Sequence, residues 1–244
     1  LELPTHSEGE NASEKIGITA LPACKQFLFF VFGYREIPRH EIAHTLNRFM
    51  QNGIDCRALY SFADNHDVER IYTRLREKAH LIPLYILLYT LPGIPSLYYG
   101  SEFGIEGRKE RGSDDSLRPA LSLDDYKDAI TENPYPALVA ALGHARQDLP
   151  VFAGGDYREL LLTNRQYAFV RSGNGCSVIT VVNNDDGPAE IRVPAADGGS
   201  YTGVLTGQKL TADGGCLSFT VSANSLGVSA PVPNSSSIYA IFAL

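Results

Sequence analysis

An α/β half followed by an all-β half is the fold class this sequence predicts, and three observations predict it. Up to about residue 148, segments of helical period alternate with short apolar runs. After Leu149-Pro150 the helical period stops and short β-type runs take over. Those runs are separated by Gly/Asn/Asp clusters at the spacing of turns, the pattern of an antiparallel β-sandwich. The boundary is placed at 148/149, giving residues 1–148 to parallel βα units and 149–244 to the sandwich. With 244 residues, 44% of them hydrophobic, the chain has enough apolar mass for one sizeable core or two smaller ones, and ordinary domain size favours two.

The first half has one clear amphipathic helix, Glu41 to Met50. Ile42, Leu46, Phe49 and Met50 form its stripe, and Asn52-Gly53 supplies the stop. Cys56 to Ala63 reads as a buried strand that runs directly into Asp64-Asn65-His66-Asp67. Ala79 to Leu91 is apolar on nearly every face, yet Pro83 and its short length rule out a membrane span and make it a buried helix. Leu91-Pro92-Gly93 ends it, and Ile94 to Tyr99 is extended. Gly100 to Ser116 is a charged loop, and a last helix covers Pro136 to Arg146. Phe27 to Phe32 is strongly apolar without a period that separates strand from helix, and Leu1 to Lys15 is loop-like.

In the second half, Ala189 to Val193 and Leu217 to Val221 alternate cleanly, so each has one dry and one wet face. Further strands are expected at Arg158 to Leu162, Gln166 to Arg171, Ser177 to Val182, Tyr201 to Leu205 and Ile238 to Ala243. Tyr157, Tyr167, Tyr201 and Tyr239 are available for stacking on a ligand, although tyrosines in a sandwich are more often core or corner residues.

A net charge of -7 with no Lys/Arg-rich run argues against nucleic acid or an anionic membrane as partner. Four cysteines (Cys24, Cys56, Cys176, Cys216) lack metal-ligand spacing and read as reduced thiols, a Cys176–Cys216 bridge being the one alternative to test. The first residues contain neither an initiator Met nor a secretory leader. The chain therefore reads as beginning inside a longer protein, and the expected compartment leans to the cytoplasm.

A carboxylate and an imidazole projecting together from the C-terminal end of a parallel βα strand lie where such barrels gather their active sites. The structural reading of the same residues is that Asp67 caps the next helix while His66 and Asn65 satisfy loop backbone. Two blocks tip the balance. Leu59 to Val68, followed by Thr90-Leu91-Pro92-Gly93-Ile94-Pro95 and Tyr98-Tyr99-Gly100-Ser101-Glu102, resembles the alpha-amylase superfamily of retaining glycoside hydrolases, glycoside hydrolase family 13, from about Glu41 to the end of the chain.

The resemblance implies the last strands and helices of a (β/α)8 TIM barrel followed by a β-sandwich. It makes Asp67 the third catalytic carboxylate, stabilising the transition state, and His66 its sugar-contacting neighbour. Asp115 and Arg118, in Asp115-Ser116-Leu117-Arg118-Pro119, would reach outlying glucose units, unless they are a surface ion pair holding the loop. Glu102 and Tyr99 are expected to pack and hydrogen-bond the barrel rim. An α-glucan or maltooligosaccharide is the implied ligand. No cofactor is evident, with calcium implied only for the full-length enzyme.

The family's nucleophile and acid/base motifs have no matching positions. Gly33-Tyr34-Arg35-Glu36-Ile37 starts like the nucleophile motif but carries Ile37 at the decisive position. The expectation is therefore a fragment that needs the missing barrel half for a complete fold and is inactive by itself, since retaining hydrolysis uses two carboxyl groups about 5–5.5 Å apart. The competing reading is a non-catalytic carbohydrate-binding or scaffolding module.

Overall fold

The apolar stripe read from the sequence lies on a helix. The structure, a computed structural model, describes residues 40–196, 198–223 and 238–242, the last five by backbone only. Phe27–Phe32, Leu1–Lys15, Gly33–Ile37, Cys24 and the Tyr239 side chain lie outside the described residues or side chains. The first element among the described residues is α1 (His40–Gln51). Ile42, Leu46 and Phe49 are buried along its inner face, while Met50 is partly exposed at the end of the stripe. Gly53 adopts the left-handed conformation (φ 74°) that closes the helix, as Asn52-Gly53 predicted.

The run expected as one strand from Cys56 to Ala63 divides in two. Asp55 accepts the Arg57 N–H and holds Cys56–Ala58 in a single 3-10 turn, so only Tyr60–Phe62 (β1) is left to pair. A short helix α2 (Ile71–Arg74) and the buried helix α3 (Leu81–Thr90) lead to β2 (Ile94–Ser96). Leu81 to Leu88 are all buried, matching the absence of a polar face. Pro83 is tolerated because it sits in the first turn, where N–H groups have no intrahelical acceptor. β1 and β2 pair in parallel, Tyr60 opposite Ile94 and Phe62 opposite Ser96. Gly93 is required at this crossover: its φ is 134°, and a Cβ there would lie 2.8 Å from Ser61 Oγ and 2.9 Å from the Leu59 carbonyl.

After a loop through residues 97–128 come α4 (Ala129–Glu132) and α5 (Pro134–Asp148), the latter capped by the Asn133 side chain on the Tyr135 N–H. Leu138, Leu142 and Ala145 bury one face of α5, which packs on α3. Helix α6 (Val151–Gly154) then leads into the β region.

That region comprises β3 (Asp156–Leu162), β4 (Gln166–Gly173), β5 (Cys176–Asn183), β6 (Ala189–Pro194), β7 (Ser200–Gly203), β8 (Lys209–Thr211), β9 (Cys216–Val221) and β10 (Ile238–Phe242). Six of these strands form a sheet in the order β3-β4-β5-β10-β7-β8, and β6 and β9 form a second sheet. The alternation read from sequence holds: Ala189, Ile191 and Val193 face the same side as Leu217, Phe219 and Val221, paired in register Ile191 to Phe219 and Val193 to Leu217.

Two points correct the expectation. The six-stranded sheet is mixed, because β10 runs parallel to both β5 and β7. Neither neighbour is adjacent to it in sequence, so each connection is long enough for a crossover and no hairpin forces antiparallel pairing. β8, unpredicted, is a three-residue edge strand joined to β7.

β4 and β5 are buried on both faces, since helices α3 and α6 contact the larger sheet as well. Buried residues of both halves consequently belong to one contiguous apolar cluster. Cys176 and Cys216 are free thiols, not a bridge. Among the described residues no helix is long and apolar enough to cross a membrane.

Candidate functional site

The loop from Asp64 to Arg70 leaves the C-terminal end of β1 and returns to α2, and its two ends are fixed by buried polar groups. Asp64, 3% exposed, accepts the Ile71 N–H at 2.9 Å and the Ser101 hydroxyl at 2.9–3.0 Å. Burial pushes its carboxyl above the ordinary 3.8, opposed by those two donors and by the nearby Arg70 charge. The helix-capping role that the sequence offered to Asp67 falls to Asp64 instead, because its side chain reaches the first N–H of α2. At the other end Arg70 is fully buried and donates to the Tyr99 carbonyl (2.7 Å) and the Leu117 carbonyl (2.8 Å).

Between these anchors Asn65, His66 and Asp67 rise to the surface. The Asn65 side-chain oxygen accepts the Asp67 N–H at 3.0 Å, an Asx turn that sets the direction of the next residue. His66 Nε2 stands 3.3 Å from Asp67 Oδ1, and both side chains are about half exposed (51% and 55%). The His66 ring lies 6.4 Å from Tyr98, which stacks edge-on with Tyr99 at 4.8 Å. The two strongest sequence candidates are thus adjacent, solvent-facing and flanked by aromatic rings.

The second candidate pair is arranged differently from expectation. Arg118 meets Asp114, at 3.5 Å, and not Asp115. Asp115 is exposed, its backbone N–H accepted by the Ser113 hydroxyl. Asp114 also takes Lys109, which holds its carboxyl below the ordinary carboxylate range, with smaller contributions from Arg118 and His66.

Asp64, Arg70 and Ser101 were missed as organisers of the site. The one signal available was Asp64 at the end of an apolar run, six residues before an Arg. The Tyr99 hydroxyl donates to the Pro119 carbonyl at 3.0 Å. Two cavities of about 300 Å³ lie elsewhere, one between α1 and β3 beside Arg57 and Tyr157, the other on the larger sheet beside Arg158 and Tyr201. Among the described residues no three His, Cys, Asp or Glu side chains gather to hold a metal.

Comparison with known proteins points one way. The family described as the alpha-amylase catalytic domain matches residues 34–135. A cyclomaltodextrin glucanotransferase of Bacillus sp. (strain 38-2) is 30% identical over 170 residues, 66% of this chain and 23% of the relative. An Anoxybacillus alpha-amylase superimposes with a TM-score of 0.68 at 19% identity, covering 93% of this chain and 52% of that one. The alpha-amylase of Geobacillus thermoleovorans, solved with acarbose, does so with 0.71 at 18% identity, covering 91% and 51%. The chain spans about a quarter of the glucanotransferase's length and about half of either amylase.

Proposed function

This chain belongs to the alpha-amylase superfamily, glycoside hydrolase family 13, and on that premise we propose that it is a portion of a retaining glycosidase acting on α-linked glucans. In this reading residues 1–148 are the last strands and helices of a TIM barrel and 149–244 its β-sandwich C-terminal domain. Asp67 stabilises the transition state and His66 contacts the same sugar, with Asp115 and Arg118 reaching outlying glucose units. An oxocarbenium-like transition state gains positive charge, and a fixed anion beside a hydrogen-bonding imidazole is suited to it.

The observation that carries the reading is the exposed His66–Asp67 pair, 3.3 Å apart, at the C-terminal end of a strand in a parallel pair. The acarbose bound to the Geobacillus enzyme is a reasonable probe for that surface. Neither the nucleophile motif nor the acid/base motif of the family occurs in the sequence, and Asp67 alone cannot supply two carboxyl groups. Unaided, the chain therefore binds glucan without cleaving it and requires the other barrel strands for catalysis.

The module reading loses its main support. Tyr167 and Tyr201 are 5% and 1% exposed, and the Tyr157 and Tyr167 hydroxyls bond each other. Tyr167 and Tyr201 are core, and Tyr157 is partly buried against that core, so none is a freely exposed ring for stacking on sugars.

Titration of acarbose into the chain tests the proposal. Binding is expected, and Asp67→Ala should weaken it at least about tenfold, the loss of one charge-assisted contact. Because that side chain is half exposed, the variant should keep the wild-type denaturation midpoint. Binding that survives Asp67→Ala, or hydrolysis of starch by the chain alone, would overturn the assignment.

A further inference from the structure

We infer that Arg70 is a positioning residue that sets the distance between the His66–Asp67 loop and the Asp114–Arg118 loop, and so tunes ligand affinity without touching ligand. The inference rests on the functional reading above and deepens it. Arg70 lies three residues after Asp67 and is fully buried. One nitrogen of its guanidinium reaches the Tyr99 carbonyl at 2.7 Å and the Ser101 hydroxyl at 3.4 Å, and the other reaches the Leu117 carbonyl at 2.8 Å, one residue before Arg118. Its own backbone N–H donates to the Gly107 carbonyl at 3.0 Å. One side chain therefore ties three segments that are distant in sequence.

Two further contacts fix the plane of the fork. The guanidinium carbon sits 4.1 Å from the centre of the Tyr98 ring and 5.0 Å from that of Tyr99, within cation–π range. Tyr98 is also the ring nearest His66. Gly107 presses in so closely that a Cβ there would meet Arg70 Cγ at 2.9 Å and the Ser116 carbonyl at 2.4 Å. Ser101 closes the circuit: it accepts from Arg70 and donates to Asp64, so both ends of the 64–70 loop meet on one hydroxyl. Any drift of the guanidinium is transmitted to Asp67 on one side and Arg118 on the other.

Lysine at this position keeps the charge but loses the planar fork, so a single ammonium cannot hold the Tyr99 and Leu117 carbonyls in the same geometry. The experiment is a double-mutant cycle on the full chain with acarbose as probe, read by calorimetry well below the unfolding temperature. Arg70→Lys should weaken binding about tenfold, and the further loss on Arg118→Ala should be smaller in the Arg70→Lys background than in the wild type. A merely structural role predicts equal losses in the two backgrounds.

Wild-type affinity in Arg70→Lys, with Asp67→Ala impaired, overturns the positioning role and leaves the functional reading intact. If the wild-type chain does not bind acarbose, the functional reading fails, and nuclear magnetic resonance still decides this one. Arg70→Lys should then shift the His66 ring and Arg118 side-chain signals together, and unmoved signals overturn it. If Arg70→Lys fails to fold, Ser101→Ala, which cuts the same circuit at a neutral group, replaces it with the same readouts.

Discussion

The rim around Asp67 and the junction between the two halves are each organised by a fully buried arginine, Arg70 in one and Arg171 in the other. Both use two terminal nitrogens to bridge main-chain carbonyls, and in both the Nε has no partner among the described residues. The difference is in what is bridged. Arg171, on β4, joins the Thr90 carbonyl at the end of α3 (3.0 Å) to the Gly155 carbonyl before β3 (2.8 Å). Arg146 of α5 reaches the neighbouring Tyr89 and Gly93 carbonyls, so the negative end of the α3 dipole receives two cations. Arg70 holds loops, has Asp64 nearby and lies over two rings. Burial, and then the charges of Arg146 and Arg57, push the Arg171 guanidinium down to about 10. The same side chain fastens rigid elements in one place and sets loop geometry in the other, so one should be read in stability and the other in binding.

The largest effect expected of that contrast is on stability. Arg171→Met strands the Thr90 and Gly155 carbonyls inside the protein at about 1–3 kcal/mol each, partly offset by no longer burying a charge, for a net loss of about 2–4 kcal/mol. Urea denaturation at neutral pH measures it, and acarbose affinity of the variant that remains folded should match the wild type. A loss of affinity without unfolding would merge the two regions into one.

Alkali should also weaken the protein through Tyr157. Burial pushes the Tyr157 hydroxyl from 10.0 to about 12, so the unfolded chain ionises before the folded one. Its contribution is complete below pH 10 and is lost as pH rises from 10 towards 12, at most about 2–3 kcal/mol. Tyr157→Phe should flatten the decline of denaturation midpoint over that interval, and an unchanged slope would remove Tyr157 as its cause.

How much of this was legible depends on whether a feature is local. The stripe Ile42, Leu46, Phe49 and the alternation of Ala189–Val193 against Leu217–Val221 are periodic within one segment, and burial follows them. Alternation specifies a strand's faces but not its neighbours, which is why the parallel setting of β10 between β5 and β7 was not readable. Lys209–Thr211 is too short to show a period at all. In the candidate site, His66 and Asp67 announced themselves as adjacent polar residues after an apolar run. Arg70 did not, because its burial is created by Tyr99, Ser101 and Leu117, which nothing in the local sequence places beside it. The Asp114 partner of Arg118 was obscured for the simpler reason that Asp115 stands next to it.

Within the rim, Asp64 offers a smaller test with the opposite sign to an ordinary salt-bridged carboxylate. Its folded value is raised above 3.8, chiefly by burial, so its contribution is complete below 3.8 and lost as pH rises through the raised value. Asp64→Asn keeps an acceptor for the Ile71 N–H and removes the titration. Its denaturation midpoint should therefore fall less than the wild type's as pH rises above 3.8. A wild-type slope in the variant would place the burial cost on another group.

Arg118→Ala should be the mildest change and discriminates most finely. Arg118 is half exposed, its contact with Asp114 is long at 3.5 Å, and Lys109 remains to pair with Asp114 after the substitution. Exposed pairs of this kind contribute little and are screened by salt, so the denaturation midpoint should stay where it is. Acarbose affinity should nevertheless drop a few-fold if the side chain reaches a sugar, and the drop should persist in high salt if the contact is a direct hydrogen bond. A drop that salt abolishes would reduce Arg118 to long-range attraction. In that case Arg70, by holding the Leu117 carbonyl, positions a charge and not a contact, and the rim differs from the junction in Asp67 and His66 alone.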